Sequence, residues 1–173
     1  MKSIQNVEFF ENQLIEDGRG YFRRIFSSLD AVSTETINFV QSSVSFNKKS
    51  GTVRGMHYQA SPSNEWKYVT CLKGKIFDCL VDVRKDSSTY GITHCFEMSE
   101  EIGLSVLIPP GVAHGFQTQV DETYVHYQMT DIHRPELARR LLWNDVNLNI
   151  PWPLDVTSVS SLDLKGEKWP VAY

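Results

Sequence analysis

The sequence has 173 residues, the length of one domain, so we expect a single domain over residues 1–173. Hydrophobic residues make up 41% and charged residues 22%, a globular composition that excludes a disordered or fibrous chain. Seventeen basic and twenty-one acidic residues give a net charge of -4, which does not favour binding to the backbone of a nucleic acid.

Signals for export or membrane insertion are absent from the sequence. The amino-terminal residues lack an apolar signal core, and no apolar run approaches the roughly eighteen residues that cross a bilayer. We therefore expect a cytoplasmic protein that contacts no membrane. The three cysteines, Cys71, Cys79 and Cys95, are odd in number, lie in apolar segments and lack a CxxC spacing, which is typical of buried thiols.

Strand patterns dominate from residue 35 to about residue 130, where apolar and polar residues alternate and β-branched and aromatic residues are enriched. The clearest pattern is a hairpin of strands 67–72 and 76–83, because Gly74 in the tight connection permits a positive φ. The short connections exclude the helical crossovers of a parallel sheet and predict an antiparallel sandwich or barrel. Further strands are predicted over 93–98, 103–108 and 123–129.

The carboxyl-terminal part has a different pattern. Residues 135–142 predict a helix, with Pro135 at the first turn, where proline is tolerated. From Asn149 onward, Pro151, Pro153 and Pro170 interrupt any regular ladder of hydrogen bonds. We expect this tail to wrap across the barrel as an extended arm.

Two histidines are candidates for chemistry inside such a barrel, where alternation directs side chains to a common cavity. His57 lies in the segment Arg54-Gly55-Met56-His57-Tyr58-Gln59, and His114 follows a proline-glycine turn with the spacing P-x-G-x-x-H. That spacing is similar to the second metal motif of cupins. The H-x-H pair and the carboxylate of a cupin metal site are missing beside His57, so we expect no metal.

A set of motifs in a fixed order carries a specific resemblance. The sequence resembles the nucleotide-sugar epimerase family typified by dTDP-4-dehydrorhamnose 3,5-epimerase, a metal-free cupin. The resemblance spans roughly residues 17 to 165. The matching segments are Asp17-Gly18-Arg19-Gly20-Tyr21-Phe22, residues 51–59, Lys67 with Val81-Asp82-Val83-Arg84, residues 110–116, Trp143-Asn144-Asp145 and Ile150-Pro151-Trp152-Pro153.

The resemblance implies an all-β, cupin-type jelly-roll barrel or sandwich with short C-terminal helical segments, assembled as a homodimer. Its substrate would be a nucleoside-diphosphate 4-keto sugar, in which the C4 ketone acidifies the hydrogens at C3 and C5. His57 stands at the position of the family's base, and imidazole ionises at about pH 6.5, which suits proton abstraction near neutrality. Asp163 matches the aspartate that orients this histidine.

The resemblance also implies the other site residues. Tyr127 matches the acid that protonates the opposite face of the sugar, and Lys67 matches a lysine that stabilises the enolate. Arg54 and Arg19 would hold the diphosphate, Arg19 on a segment that in the family reaches the partner's site. The remaining substrate contacts would be Phe22, Arg24, Gln41, His114 and His133.

Taken one by one, these residues also allow structural interpretations. Tyr127 could be an ordinary strand aromatic with a hydrogen-bonded hydroxyl group, and Lys67 could be a solvated residue of an edge strand. Arg19 could belong to a surface ion pair. His126 alternates with Tyr127 and so faces the other side of the strand, which indicates a structural role.

Three departures from the family pattern affect specificity. Arg24 stands where the thymidine-diphosphate enzymes usually have a glutamate, so guanosine or cytidine diphosphate becomes a candidate nucleotide. Residues 41–45 carry serine where the family commonly has asparagine. His133 stands where the family often has a second tyrosine, which bears on whether one carbon or two is inverted.

The sequence therefore predicts an epimerase acting at C3, C5 or both on a nucleotide-linked 4-keto hexose or heptose, without metal or redox cofactor. Two alternatives stay open. A 3,4-ketoisomerase also removes a proton beside the ketone but returns it to a different atom. A non-catalytic sugar-binding cupin would exchange no proton with solvent.

Overall fold

The computed structural model describes residues 3–27 and 37–169. These residues form twelve β-strands and one 3-10 helix, Asp163–Lys165, and none of their helices is long and apolar enough to cross a membrane. The prediction of an all-β chain is confirmed. The strands are β1 Glu8–Glu11, β2 Leu14–Asp17, β3 Gly20–Arg23, β4 Gln41–Asn47, β5 Val53–Gln59, β6 Lys67–Lys73, β7 Lys75–Asp82, β8 Thr93–Ser99, β9 Leu104–Ile108, β10 Val112–Thr118, β11 Thr123–Met129 and β12 Ala138–Arg140.

Ten of these strands build two five-stranded antiparallel sheets. The first sheet has the order β1-β9-β6-β11-β4 and the second has the order β12-β5-β10-β7-β8. Strands β2 and β3 pair only with each other as a separate hairpin. The two large sheets form the jelly roll that the resemblance implied.

The main core lies between the two sheets. Val69 and Val125 come from the first sheet and Leu80 and Phe116 from the second, and all four are almost completely buried in one cluster. This burial explains the alternating pattern of the sequence, because alternate residues of strands in the two large sheets point between the sheets.

A second apolar cluster includes residues of the second sheet and of the chain after β12. Val81 of β7 packs in one cluster with Leu148 and Trp169, and Trp152 lies against Phe77 with ring centroids 6.3 Å apart. The prediction of an extended tail that wraps the barrel is confirmed for the described residues up to 169; Pro170 lies outside them. The chain after β12 also brings Asp163 next to His57 of β5, in the second sheet.

The predicted hairpin of residues 67–83 is wrong in its pairing. Strands β6 and β7 exist and Gly74 has the expected positive φ of 85°, but β6 pairs with β9 and β11 while β7 pairs with β8 and β10. The short connection therefore crosses from one sheet to the other. Both strands bury apolar side chains in the shared core, and alternation alone does not distinguish a hairpin from such a crossing.

The predicted helix over 135–142 is also wrong. Residues 135–137 form a turn, and β12 then adds to the edge of β5, where Leu141 N donates to Met56 O at 2.9 Å. The open edge of β5 supplies hydrogen-bond partners, and Leu141 is buried in the second cluster. These tertiary interactions outweigh the local helix propensity.

The interpretation of all three cysteines as thiols needs correction as well. Cys79 of β7 and Cys95 of β8 stand directly opposite each other and form a disulfide. Their register was not visible in the sequence, which lacked any spacing that indicated the pair. Cys71 agrees with the expectation: it is a buried thiol, and burial raises its pKa to about 12.

Candidate active site

A cavity of about 320 Å³ opens between the two sheets and gathers most of the predicted site residues. Its walls come from β4, β5, β6, β10, β11, β12 and the segments next to them. Six of the residues expected from the sequence line it: Arg54, His57, Lys67, His114, Tyr127 and His133.

His57 and Asp163 form a hydrogen-bonded pair at one wall of this cavity. The Nε2 atom of His57 lies 2.6 Å from Oδ1 of Asp163. The Asp163 side chain is only 5% exposed, whereas that of His57 is 41% exposed. Burial favours the neutral acid, but hydrogen bonds from His57 and Ser160 outweigh it and hold the pKa of Asp163 below its ordinary value. A neutral His57 that donates Nε2–H to this carboxylate keeps its lone pair on Nδ1.

His114 forms a second, deeper pair. It stands opposite His57 in the β5–β10 register, and its Nε2 atom lies 2.8 Å from Oδ2 of Asp78. Asp78 is completely buried, and this burial raises the pKa of its carboxyl group despite the opposing effect of His114. Asp78 was not expected from the sequence; its signal was a carboxylate in the middle of the apolar strand β7.

Tyr127 enters the cavity from the opposite sheet. Its ring packs edge-on against that of His114, with centroids 6.2 Å apart. Burial raises the pKa of Tyr127 well above the ordinary value, and the hydrogen bond with Ser45 offsets this only in part. The phenol is therefore protonated at neutral pH and can donate a proton from the wall that faces the second sheet.

Lys67 is a cavity residue and not a solvated edge residue, because β6 lies between β9 and β11. Its ammonium group lies 3.4 Å from Oε1 of Glu65, and both side chains are mostly buried. The other Glu65 oxygen accepts a hydrogen bond from Gln59 at 3.0 Å. Glu65 was not expected from the sequence, although it lies two residues before Lys67, the spacing that places residues on one face of an extended chain.

Arginines make the cavity strongly cationic. Arg54 donates through Nε to Asn47 Oδ1 at 2.6 Å, which anchors its guanidinium group. Arg139 and Arg140 of β12 line the same cavity and were missed because the local sequence pattern predicts a helix there. Guanidinium groups suit phosphate oxygens, so the site fits a ligand with a diphosphate group.

Four predicted substrate contacts do not line the cavity within this chain. Arg19 and Phe22 lie on the β2–β3 hairpin and Arg24 directly after it, all exposed, and Arg19 forms a surface ion pair with Asp17. Gln41 also lies outside the cavity, but its side-chain oxygen accepts a hydrogen bond from the backbone N–H of His133, a cavity residue, at 2.7 Å.

Two further expectations concern histidine and metal. His126 does not line the cavity and contacts the Ser42 hydroxyl group at 2.9 Å, in agreement with a structural role. Within residues 3–27 and 37–169, no three or more His, Cys, Asp or Glu side chains group in a way that could hold a metal ion.

The fold is that of a cupin-type jelly roll, and the names of the relatives put the chain in the isomerase class of enzymes. The chain belongs to the dTDP-4-dehydrorhamnose 3,5-epimerase family, whose model matches residues 1–170. An enzyme of that name from Sinorhizobium fredii is 37% identical over 92% of this chain and 82% of its own, and one from Shigella flexneri is 34% identical over 96% and 92%. The crystal structure of the Bacillus anthracis enzyme with TDP and pyrophosphate bound has a TM-score of 0.90 and 34% identity, covering 98% of this chain and 97% of that one.

The comparisons correct one expectation about the nucleotide. These relatives are named for dTDP sugars, so they do not support guanosine or cytidine diphosphate. The expectation rested on Arg24, which is exposed and outside the cavity. A charge at that position has no contact with the site of its own chain.

Proposed function

We propose that this protein inverts C3 and C5 of a dTDP-linked 4-keto sugar by removing a proton from one face of the ring and returning one to the other. The observation that carries the proposal is the pair of His57 and Asp163 in a cationic cavity whose opposite wall presents Tyr127. A base and a weak acid on opposite walls are the minimum that an inversion at carbon requires.

The first step is proton abstraction by His57. Its lone pair takes a proton from C3 or C5. The electrons of the C–H bond form an enolate, whose negative charge lies mainly on the C4 oxygen. Asp163 holds the ring in the required tautomer and stabilises the imidazolium that forms. The ammonium group of Lys67, mostly buried in the same cavity, stabilises the enolate oxygen.

The second step is protonation from the other wall. Tyr127 donates its phenolic proton to the carbon, and the enolate electrons form the new C–H bond on the opposite face. His57 then releases its proton to solvent and Tyr127 regains one. The step needs no redox chemistry, because the electron pair of the C–H bond stays in the sugar, and Lys67 supplies the positive charge that stabilises the enolate oxygen.

The nucleotide assignment rests on the relatives and on the charge of the site. The family and its members are named for dTDP sugars, and Arg54 and Arg139 supply cations for the diphosphate. His133 lines the cavity on a segment held by Gln41, so it lies where it can influence how the sugar ring is seated.

We also propose that the active species is a homodimer. On the β2–β3 hairpin, Ile15 and Phe22 stand opposite each other and are each 62% exposed, an apolar surface left uncovered by the described residues of one chain. Apolar surfaces of this kind are typical of interaction sites. A partner on this face explains why Arg19 and Phe22 lie outside the cavity of their own chain.

The proposal is tested by incubating dTDP-, GDP-, CDP- and UDP-linked 4-keto sugars with the enzyme in deuterated water. We expect deuterium at C3 and C5 and inverted product with the dTDP sugar. His57→Asn should lower both by about 10² to 10⁴. His126→Asn is the matched control on the non-cavity face and should keep the parent rate. A 3-keto product would identify a ketoisomerase, and a parent protein that incorporates no deuterium into any of these sugars would contradict the proposal.

A further inference from the structure

Arg140 stands directly beside the proposed base, although neither proposed proton transfer uses it. In the antiparallel pairing of β12 with β5, Arg140 is the partner of His57. Residues directly opposite each other in such a pair carry their side chains on the same face of the sheet. The guanidinium group is therefore next to the His57–Asp163 pair as a consequence of strand register.

The contact between Arg140 and the pair is made through one carboxylate oxygen. Arg140 Nε lies 3.5 Å from Oδ1 of Asp163, the same oxygen that lies 2.6 Å from His57 Nε2. That oxygen therefore stands between an imidazole and a guanidinium group. The Arg140 Nε atom is completely buried and has no hydrogen-bond partner among the described residues.

Such a buried donor is unfavourable unless a charge compensates it. The carboxylate of Asp163 supplies that charge, so Arg140 and Asp163 stabilise each other as ions. A guanidinium group stays protonated at any pH that the protein survives. A proton added to His57 or Asp163 would place additional positive charge beside this permanent cation.

We propose that Arg140 is a positioning residue that acts through Asp163 to keep the His57–Asp163 pair in its proton-accepting form. The inference rests on the proposed epimerase function for its catalytic consequence. With Arg140 present, the pair stays able to accept a proton at lower pH, and the carboxylate keeps the orientation that fixes the imidazole tautomer. Arg140 itself transfers no proton.

The pair has other charged and titratable neighbours, which are the same in every variant. Arg54, Arg139 and His114 lie on the strands that carry or flank the pair, and Lys165 follows Asp163 in the 3-10 helix. Lys67, Glu65, Tyr127 and His133 line the cavity wall beyond it. Comparing variants at Arg140 alone therefore isolates the effect of its guanidinium charge.

The first test is the pH dependence of kcat/KM for deuterium incorporation. Arg140→Met removes the charge and should move the acid limb upward by about one pH unit, and Arg140→Lys should return it towards the parent position. Lys49→Met, which removes an exposed cation paired with Asp121, should leave the limb unchanged. Arg140→Gln serves in place of the methionine variant if that variant does not fold. The main-chain bond from Glu167 N to Arg140 O, 2.8 Å long, does not depend on the side chain.

The second test needs no substrate, which separates a failure of this inference from a failure of the proposed function. Histidine side-chain NMR follows the titration of the His57–Asp163 pair in the parent and in Arg140→Met. We expect the midpoint to rise by about one pH unit in the variant. A lower rate at every pH with an unmoved limb and an unmoved midpoint would show a purely structural role and overturn the proposal.

Discussion

Tyr127 is a weak acid that its surroundings make weaker still. Burial between the sheets raises its pKa, and the hydrogen bond with Ser45 only partly opposes this effect. A protonated phenol is the state that a proton donor needs, so the same burial that packs the ring also prepares its chemistry. On the other wall, the partly exposed His57 is placed to act as the base, and the buried carboxylate of Asp163 holds it in position.

Abstraction and inversion should separate when Tyr127 loses its hydroxyl group. Tyr127→Phe keeps the ring packing and leaves the base in place, so exchange of the C3 hydrogen with solvent should persist while inverted product falls by about 10² to 10⁴. Deuterium uptake and product stereochemistry, measured on one sample, check this expectation. Tyr124→Phe on the same strand is the control, because Tyr124 does not line the cavity and packs on Phe46. An unchanged inversion rate in Tyr127→Phe would assign the acid to another group.

Strands β5 and β10 carry the two cavity histidines, and the backbones of the two strands approach each other closely at Gly115. A Cβ atom on Gly115 would lie 2.5 Å from the sulfur of Met56 and 2.8 Å from the carbonyl oxygen of Arg54. The register of the two strands shifts between His114 and Phe116, at this same point. Glycine is therefore required by the space between the strands that position His57 and His114.

Gly115→Ala should force these two strands apart. We expect a loss of about 1–3 kcal/mol in the free energy of unfolding, the usual cost of overpacking, together with lower activity because His57 moves relative to Tyr127. Urea denaturation and the deuterium assay measure the two effects. Gly18→Ala is the control for stability, since a Cβ atom on Gly18 in the β2–β3 turn would have nothing within 4 Å. Parent-like stability in Gly115→Ala would mean that the strands tolerate the extra methyl group.

The whole molecule combines a well-covered core with one apolar hairpin that its described residues leave open. Ile15 and Phe22 stand opposite each other in the β2–β3 register and are each 62% exposed. Their side chains therefore share one face of the hairpin, the face on which the proposed partner would pack.

A charge on this hairpin should dissociate the proposed dimer. Ile15→Glu would bury an unpaired carboxylate at the interface, which costs about 2 kcal/mol or more, and activity should fall together with the dimer fraction. Light scattering coupled to gel filtration measures the mass at each concentration. Val146→Glu changes an equally apolar residue that is 86% exposed elsewhere and should leave the mass unchanged. A parent protein that is monomeric at micromolar concentration would contradict the dimer.

The sequence by itself determined the local character of the chain and its family. Alternation predicted five of the strands, β6 to β9 and β11, the last of them, Thr123–Met129, at its observed bounds, because the alternating direction of side chains along a strand is a local property of the chain. The ordered motifs identified the family, and the structure places His57, Lys67 and Tyr127 in one cavity with Asp163 behind His57.

Only the tertiary structure decided which strands pair and which charges meet. Alternation is the same for a hairpin and for a crossing between sheets, so it could not place β6 and β7 in different sheets. The open edge of β5 turned an apparent helix into β12, and that pairing brought Arg140 to Asp163. Such contacts join residues far apart in the chain, and they are selected by burial and backbone hydrogen bonding across the whole core, which no local pattern records.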